Sequence, residues 1–506
     1  MTFLSRVTGL AREMLFAQLF GAGLLMDAFL VAYKIPNFLR RLFAEGAFSQ
    51  AFVPVISEYK VQRSREEVRE LVGGVAGTLG AALFVITVIG VIAAPVVILI
   101  FAPGFTQTPG KYELAVEMLR FTFPYIFFIS LTAFFSGVLN SYGRFGIPAA
   151  TQIAGNLVMI AAAILAAMHA GNPGIALALG VLASGVVQVA FQLPTVARLG
   201  LLAPPRWRPA LEGVRRIGRL MLPGILGSSM AQVSLLLDTL IASFLVTGSI
   251  AWLYFADRLM EFPLGVFSIA LATVILPGLS AHHAQQSPER FNATLDWALR
   301  LVVLLAAPAA VGLLALAGPL TATIYGYGEF SDRDVRMATY ALMAYSWGLL
   351  GFSFVKVLAP GYFARQDTRT PVRVALVALA VNMTLNVVLV LPAFYWLDFE
   401  IPHVLLATST CISAAVNSAL LLRGLRRAGV YTPSRGWRGF IARVVLANLA
   451  MAAALVWLAG PLPGWIDAPA LERAGRLALC IGAGAIVYFA ALYAGGWRPA
   501  HIRSHA

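Results

Sequence analysis

The residues of this chain that could do chemistry are charged side chains embedded in apolar runs. Arg6 and Arg12 fall in the first such run, and Asp27, Lys34, Arg40 and Arg41 in the second. Asp27, Lys34, Arg41 and Glu45 recur at i, i+7, i+14 and i+18, close to one stripe of a helix that Pro36 could rotate partway. Further on, FADRLMEF sets Asp257 and Glu261 at i,i+4 with Arg258 beside them, and Lys356 has no acidic neighbour in its own segment. Arg or Lys at the centre of a membrane helix costs about 2.5–3.5 kcal/mol on insertion scales, so it turns to a cavity or a partner. Five cations in two segments, with little acid to neutralise them, suit a phosphate-bearing substrate. Guanidinium binds phosphate oxygens in pairs and keeps its charge at every relevant pH. An exporter of hydrophobic drugs has no need of them. The competing readings are structural: Arg40, Arg41 and Glu45 marking a helix end, Arg12 pairing with Glu13 at the interface, and the Asp257 cluster fixing helix packing.

Asp238 lies alone in SLLLDTLIAS, and Asn382 and Asn386 share a helix face at i,i+4. One carboxylate and two amides are oxygen donors of the kind that take a small cation, with hydrogen bonding between helices as the alternative. No catalytic constellation is present. The six histidines (169, 282, 283, 403, 501 and 505) include no HExxH spacing, and there is no Walker loop. The two cysteines, Cys411 and Cys480, sit inside apolar runs, as small buried hydrophobes do. Short connections leave no room for a soluble catalytic domain. The expectation is a non-enzyme without an organic cofactor.

A membrane fold must position these charges. Of 506 residues, 59% are hydrophobic and 12% charged, about half the charge of a soluble domain. Runs of about 20 apolar residues span a bilayer, and they recur here, as at 79–102, 149–170 and 444–460. Bounded by charge, Gly and Pro, these runs predict fourteen helices. The first eight cover 3–21, 24–58, 71–102, 114–141, 146–168, 174–197, 217–247 and 250–281. The rest cover 297–325, 337–364, 374–392, 402–422, 440–459 and 474–494. The second and eighth are too long for one straight crossing, so bends are expected at Pro36 and Pro54, and at Pro263 and Pro277. Arg6, Arg12 and Glu13 interrupt what would be the core of a signal peptide, so the first segment is expected to stay.

The net charge is +14, from 37 Lys and Arg against 23 Asp and Glu. In a soluble chain it would raise nucleic-acid binding. Here topology takes most of it. With the N-terminus in the cytoplasm, 23 cations fall in connections on that side and five (Lys111, Arg333, Arg336, Arg473 and Arg476) on the other. This asymmetry obeys the positive-inside rule and predicts an even helix number with both termini cytoplasmic. The remaining nine cations lie within or at the edge of helices. Pro54 and Pro277 are 223 residues apart, as are Pro148 and Pro371. That offset predicts two parallel six-helix lobes, 1–200 and 213–427, with a last pair at 437–496 outside the repeat.

Four stretches closely resemble one family over essentially the whole chain. They are SRVTGLARE (5–13), DAFLVAYKIPNFLRRLFAEGAFSQAFVPV (27–55), FADRLMEFPLGVF (255–267) and VLAPGYFARQDTRTPV (357–372). The family is that of the MurJ/MviN lipid II flippases, in the multidrug/oligosaccharidyl-lipid/polysaccharide exporter superfamily. The resemblance implies an all-α polytopic membrane protein of about 14 transmembrane helices. It also implies two six-helix lobes in pseudo-two-fold arrangement around a cationic cavity, and two C-terminal helices that form a groove for a lipid tail. The implied function is alternating access that moves lipid II, an undecaprenyl-diphosphate-linked saccharide–peptide, from the cytoplasmic to the periplasmic leaflet of the bacterial inner membrane. By motif, Arg6, Arg12, Asp27, Lys34, Arg40, Arg41, Asp257, Arg258 and Glu261 match the family's substrate-binding positions. Asp238, Asn382 and Asn386 match a sodium site described in some members. Relatives often have a longer lead before SRV. The expected drive is the membrane potential, with sodium or another counter-ion resetting the cavity. Expected partners are lipid II, membrane lipids and cell-wall synthesis proteins, not nucleic acid. Two other readings stand beside this one, an exporter of another anionic lipid-linked saccharide and a non-transporting scaffold of the cell-wall machinery.

Overall fold

A computed structural model gives the fold, with residues 2–40, 48–168, 171–395 and 399–498 described. All regular structure among the described residues is helical. The chain divides into two compact units, Met1–Ala251 and Trp252–Ala506.

In the first unit α1 (Thr2–Phe20) turns into α2 (Leu24–Arg40) through Gly21, whose φ of +61° suits a residue without Cβ. Then come α3 (Ser49–Gln62), α4 (Arg65–Ile92) and α5 (Ala94–Phe101). The start of α4 is set by a capping box: Glu67 donates its N–H to Ser64 Oγ at 3.2 Å and accepts the Ser64 N–H at 2.9 Å. The predicted 71–102 segment is thus two helices, which part at Ala93 because Pro95 belongs in a first turn. Next, α6 (Lys111–Thr122) and α7 (Tyr125–Ser141) part at Pro124, and α8 (Gly146–Met168), α9 (Pro173–Arg198) and α10 (Glu212–Ser243) follow. The unit packs around Phe48, Phe52, Phe134 and Phe135, with Val72 and Val138 beside them.

α11 (Ser249–Pro263) begins in the first unit and continues in the second. After Pro263 the chain takes a π-helical turn, Leu264–Ile269, before α12 (Ala270–Ala284). This is an interruption at one of the prolines where a bend was expected, while Pro36, Pro54 and Pro277 lie inside helices. Beyond lie α13 (Pro288–Ala315), α14 (Ala317–Tyr325), α15 (Asp332–Phe363) and α16 (Arg369–Leu385). A second π turn, Asn386–Val390, leads into α17 (Leu391–Tyr395), where Pro392 cannot donate back to Val388. The chain ends in α18 (Pro402–Arg427), α19 (Trp437–Ala459), α20 (Pro463–Ile466) and α21 (Ala470–Ala494). Phe291, Leu295, Leu299, Tyr362 and Leu425 anchor this unit's core.

Ten helical stretches among the described residues are long and apolar enough to cross a membrane. Four predicted segments lie outside that set: 3–21, 24–58, 217–247 and 250–281. Their helices α1, α2 and α11 carry the embedded charges, and of α10 the stretch Val233–Ala242 is apolar. Elsewhere the solvent of the surface is lipid. Trp457 is 83% exposed, Ile92 73% and Ile486 71%, exposures that fit hydrocarbon surroundings.

Candidate functional site

Helix α1 holds Arg6 and Arg12, both half-buried. The Arg12 guanidinium pairs with the neighbouring Glu13, donates from Nη1 to Asn156 Oδ1 of α8 at 3.1 Å, and lies 5.8 Å from the Phe16 ring centre. Asn156 is in turn fixed to α1, since its Nδ2 donates to Ser5 O at 3.2 Å and Thr8 Oγ1 at 3.1 Å. The pairing of Arg12 with Glu13 is the one sequence allowed. Asn156 shares its run with Thr151 and Gln152, and nothing in the sequence distinguishes it as the partner of Arg12; the signal is only that an amide in a membrane-length apolar run needs a polar contact.

Helix α2 holds three more. Lys34 donates to Thr239 Oγ1 of α10 at 3.4 Å. Arg40 donates from Nε to Asn37 Oδ1 at 3.2 Å, and Asn37 is held by the Tyr33 carbonyl at 2.9 Å. Asp27, by contrast, is 1% exposed and directs both carboxylate oxygens to protein donors. Lys111 Nζ and the Gly248 N–H each donate to Oδ2 at 2.8 Å, and the Ala251 N–H donates to Oδ1 at 3.0 Å. Asp27 thereby receives free amides at the start of α11, where a negative charge is favoured. Lys111 also reaches Thr247 Oγ1 at 3.4 Å and stands 4.5 Å from the Phe105 ring centre. Lys111, a connection cation of the outer side by sequence, is 2% exposed and held in an ion pair. Arg41 lies outside the described residues.

In the second unit, Arg258 pairs with Glu261 one turn along α11 and lies 4.9 Å from the Tyr254 ring centre. Asp257 is half-buried beside it. Asn382 and Asn386 are buried, one on the last turn of α16 and the other opening the π turn. Asp238 is half-buried on α10 and belongs to the first unit. Among the described residues no group of three or more His, Cys, Asp or Glu side chains is placed to hold a metal ion. Chemically, the cations of α1 and α2 in the first unit, and Arg258 of α11 in the second, are each of a kind suited to binding an anion. Arginine forks are presented on helices and aimed by neighbouring amides and carboxylates.

Comparison with known proteins agrees with this picture. The family description Lipid II flippase MurJ matches residues 16–466. The chain is 44% identical to the probable lipid II flippase MurJ of Haemophilus influenzae, over 99% of each chain. It is 43% identical to the lipid II flippase MurJ of Burkholderia cenocepacia, over 100% of this chain and 97% of the other. Among solved structures, the fold resembles a lipid II flippase MurJ in an inward closed conformation, with a TM-score of 0.79, 24% identity, and 97% and 96% of the chains covered. A more distant likeness of fold is to an inward-facing multidrug-resistance MATE transporter of the MOP superfamily, with a TM-score of 0.67 and 15% identity over 85% of this chain and 96% of that one. The chain belongs to the lipid II flippase MurJ family.

Proposed function

We propose that this chain moves lipid II, the undecaprenyl-diphosphate-linked peptidoglycan precursor, from the cytoplasmic to the periplasmic leaflet of the bacterial inner membrane. The observation that carries the reading is the placement of Arg6, Arg12, Lys34, Arg40 and Arg258 on helices of a membrane-spanning chain whose relatives are lipid II flippases. Together with Arg41 they bind the diphosphate and the polar headgroup. Arg12 meets the headgroup already aimed by Asn156 and Glu13, which lowers the ordering cost of binding. Glu261 holds Arg258 while the headgroup is absent and yields it to phosphate. Asp27, joined to Lys111, shapes the site by holding the start of α11, and Asp257 balances its charge.

The finer architecture belongs to the same reading. Fourteen crossings form two six-helix lobes, 1–200 and 213–427. The helices at 437–496 hold the undecaprenyl tail, and both termini are cytoplasmic. A membrane potential negative inside favours outward passage of the anionic headgroup by about 2.3 kcal/mol per charge per 100 mV. Sodium or another counter-ion resets the cavity, with Asp238, Asn382 and Asn386 as its oxygen donors. Cell-wall synthesis proteins are the partners that would use the product.

The test is a leaflet-resolved lipid II accessibility assay in vesicles. Wild type should expose lipid II to the far leaflet, and Arg12→Ala and Arg258→Ala should each lower the rate at least tenfold. If both variants match wild type, or if an unrelated undecaprenyl-diphosphate sugar binds equally well, this reading is lost.

A further inference from the structure

Inside a membrane, apolar helix faces gain little by meeting each other, because lipid is as apolar as they are. α19 and α21 show this problem plainly, with Val456, Trp457, Leu479 and Ile486 all facing outward. Polar contacts at three levels of α13 and α14 add to the apolar packing that joins α19 and α21 to the rest of the second unit.

At the first level stands Asp296 of α13. Its carboxylate accepts from Trp437 Nε1 at 2.6 Å, Tyr431 Oη at 2.9 Å and Arg300 Nε at 3.0 Å, and from the Ser434 hydroxyl. Arg300 also donates to the Arg435 carbonyl at 3.0 Å and lies 5.3 Å from the Trp437 ring centre. One carboxylate thus ties together Tyr431, Ser434 and Trp437, where the chain passes from α18 into α19. At the second level, Pro308 has no N–H, so the Leu304 carbonyl four residues earlier lacks its helical partner. Tyr488 of α21, 1% exposed, fills that place by donating its hydroxyl to Leu304 O at 2.8 Å. At the third level, Arg473 in the first turn of α21 donates from Nη1 to Ala322 O at 2.9 Å and Gly326 O at 2.8 Å, both at the end of α14. Its Nε donates to Ala468 O at 2.7 Å, and its Nη2 to Ile466 O. Arg473 is 8% exposed, and its guanidinium sits among carbonyls that include those at the end of α14, where a cation is favoured.

We propose that Asp296, Tyr488 and Arg473 are positioning residues that lock α19 and α21 onto α13 and α14, so that this helix pair travels with the second unit as one piece during transport. The proposal rests on the flippase reading for the existence of a transport cycle. Its content is that a lipid tail held on α19 and α21 follows the second unit instead of waiting on a separate, freely moving pair.

The experiment uses the full chain with Cys411→Ala and Cys480→Ala, so that introduced thiols are unique. Gly318→Cys in α14 and Leu462→Cys before α20 are added, because a Cβ at Gly318 lies 2.9 Å from the Leu462 side chain. The thiols are bridged with a short bis-thiosulfonate, and lipid II transport is measured in vesicles before and after reduction. Expected are efficient bridging and a transport rate within twofold of the reduced protein. A tenfold loss on bridging that reduction restores would overturn the proposal, and so would failure of the thiols to bridge in folded protein. In the same background, Tyr488→Phe with Arg473→Gln should lower transport at least fivefold, and the bridge should restore it. Full transport by that unbridged double variant also defeats the proposal. If the reduced background moves no lipid II at all, the flippase reading fails instead, while bridging yield on a gel still reports on the lock.

Discussion

The contacts of Arg12 include two of different kinds, a carboxylate next to it in sequence and an amide on another helix. The carboxylate lowers the cost of keeping a cation in a low-dielectric place, whereas the amide decides where the fork points. Asn156→Leu should therefore leave the charge in place and lose the aim. Lipid II transport is expected to fall at least tenfold while the protein still folds, as read by size-exclusion profile and thermal unfolding in detergent. Asp27 and Lys111 pose the opposite case, a buried pair whose halves depend on each other. Lys111→Met strands a buried carboxylate and should cost about 3–5 kcal/mol. Adding Asp27→Asn should recover part of that loss, measured by denaturant unfolding at fixed detergent. Equal stability of the single and double variants would show that the two charges do not support each other. At this scale the sequence marked Arg12, Glu13 and Asp27 because charge inside an apolar run is conspicuous. It could not mark Lys111 as buried, since a lysine beside a loop reads as an orienting cation until another helix closes over it.

Helices explain why some glycines cannot be replaced. In α4, a Cβ on Gly77 would lie 2.3 Å from the backbone of Arg206, in the connection that crosses it, while one on Gly80 would meet nothing within 4 Å. The Arg206 N–H donates to Gly73 O at 3.1 Å, so the crossing chain is bonded in place. Alanine favours a helix over glycine by about 1 kcal/mol. Gly80→Ala should thus be neutral or stabilising, whereas Gly77→Ala must push the crossing segment away and should lower the unfolding temperature by several degrees. The start of α16 offers a pH readout. Asp367 accepts the Thr370 N–H at 3.0 Å, and hydrogen bonds from the Thr370 side chain and backbone hold its carboxyl below the usual carboxylate value. A lowered folded-state pKa means that the contribution is complete at neutral pH and is lost as pH falls through that lowered value. Hydrogen exchange of peptide 365–372 should be slower in wild type than in Asp367→Asn at neutral pH, with the difference vanishing in strong acid. Proline interruptions were partly legible in advance. Pro263 is followed by a π turn, yet Pro36, Pro54 and Pro277 stay within helices, because neighbours decide whether a missing N–H is absorbed or breaks the run.

For the whole molecule, charge and solvent set the behaviour. A headgroup carrying net negative charge gains about 2.3 kcal/mol per charge per 100 mV on moving outward. In vesicles with the inserted protein oriented as in the cell, an inside-negative potassium diffusion potential should speed lipid II export, and its collapse should slow it. A rate indifferent to potential would place the driving force in ion coupling alone. The membrane class, the all-helical architecture and the embedded cations were determined by sequence, because a residue's compatibility with lipid depends on its own chemistry and on its immediate run. Family membership was legible for the same reason, in contiguous stretches such as SRVTGLARE and FADRLMEFPLGVF. Tertiary structure alone decided which donor meets which acceptor. It set Asn156 against Arg12, Lys111 against Asp27, and Tyr488 against the carbonyl that Pro308 leaves open. Those partners lie tens to hundreds of residues apart, and a hydrogen bond depends on a distance of about 3 Å that no local pattern encodes.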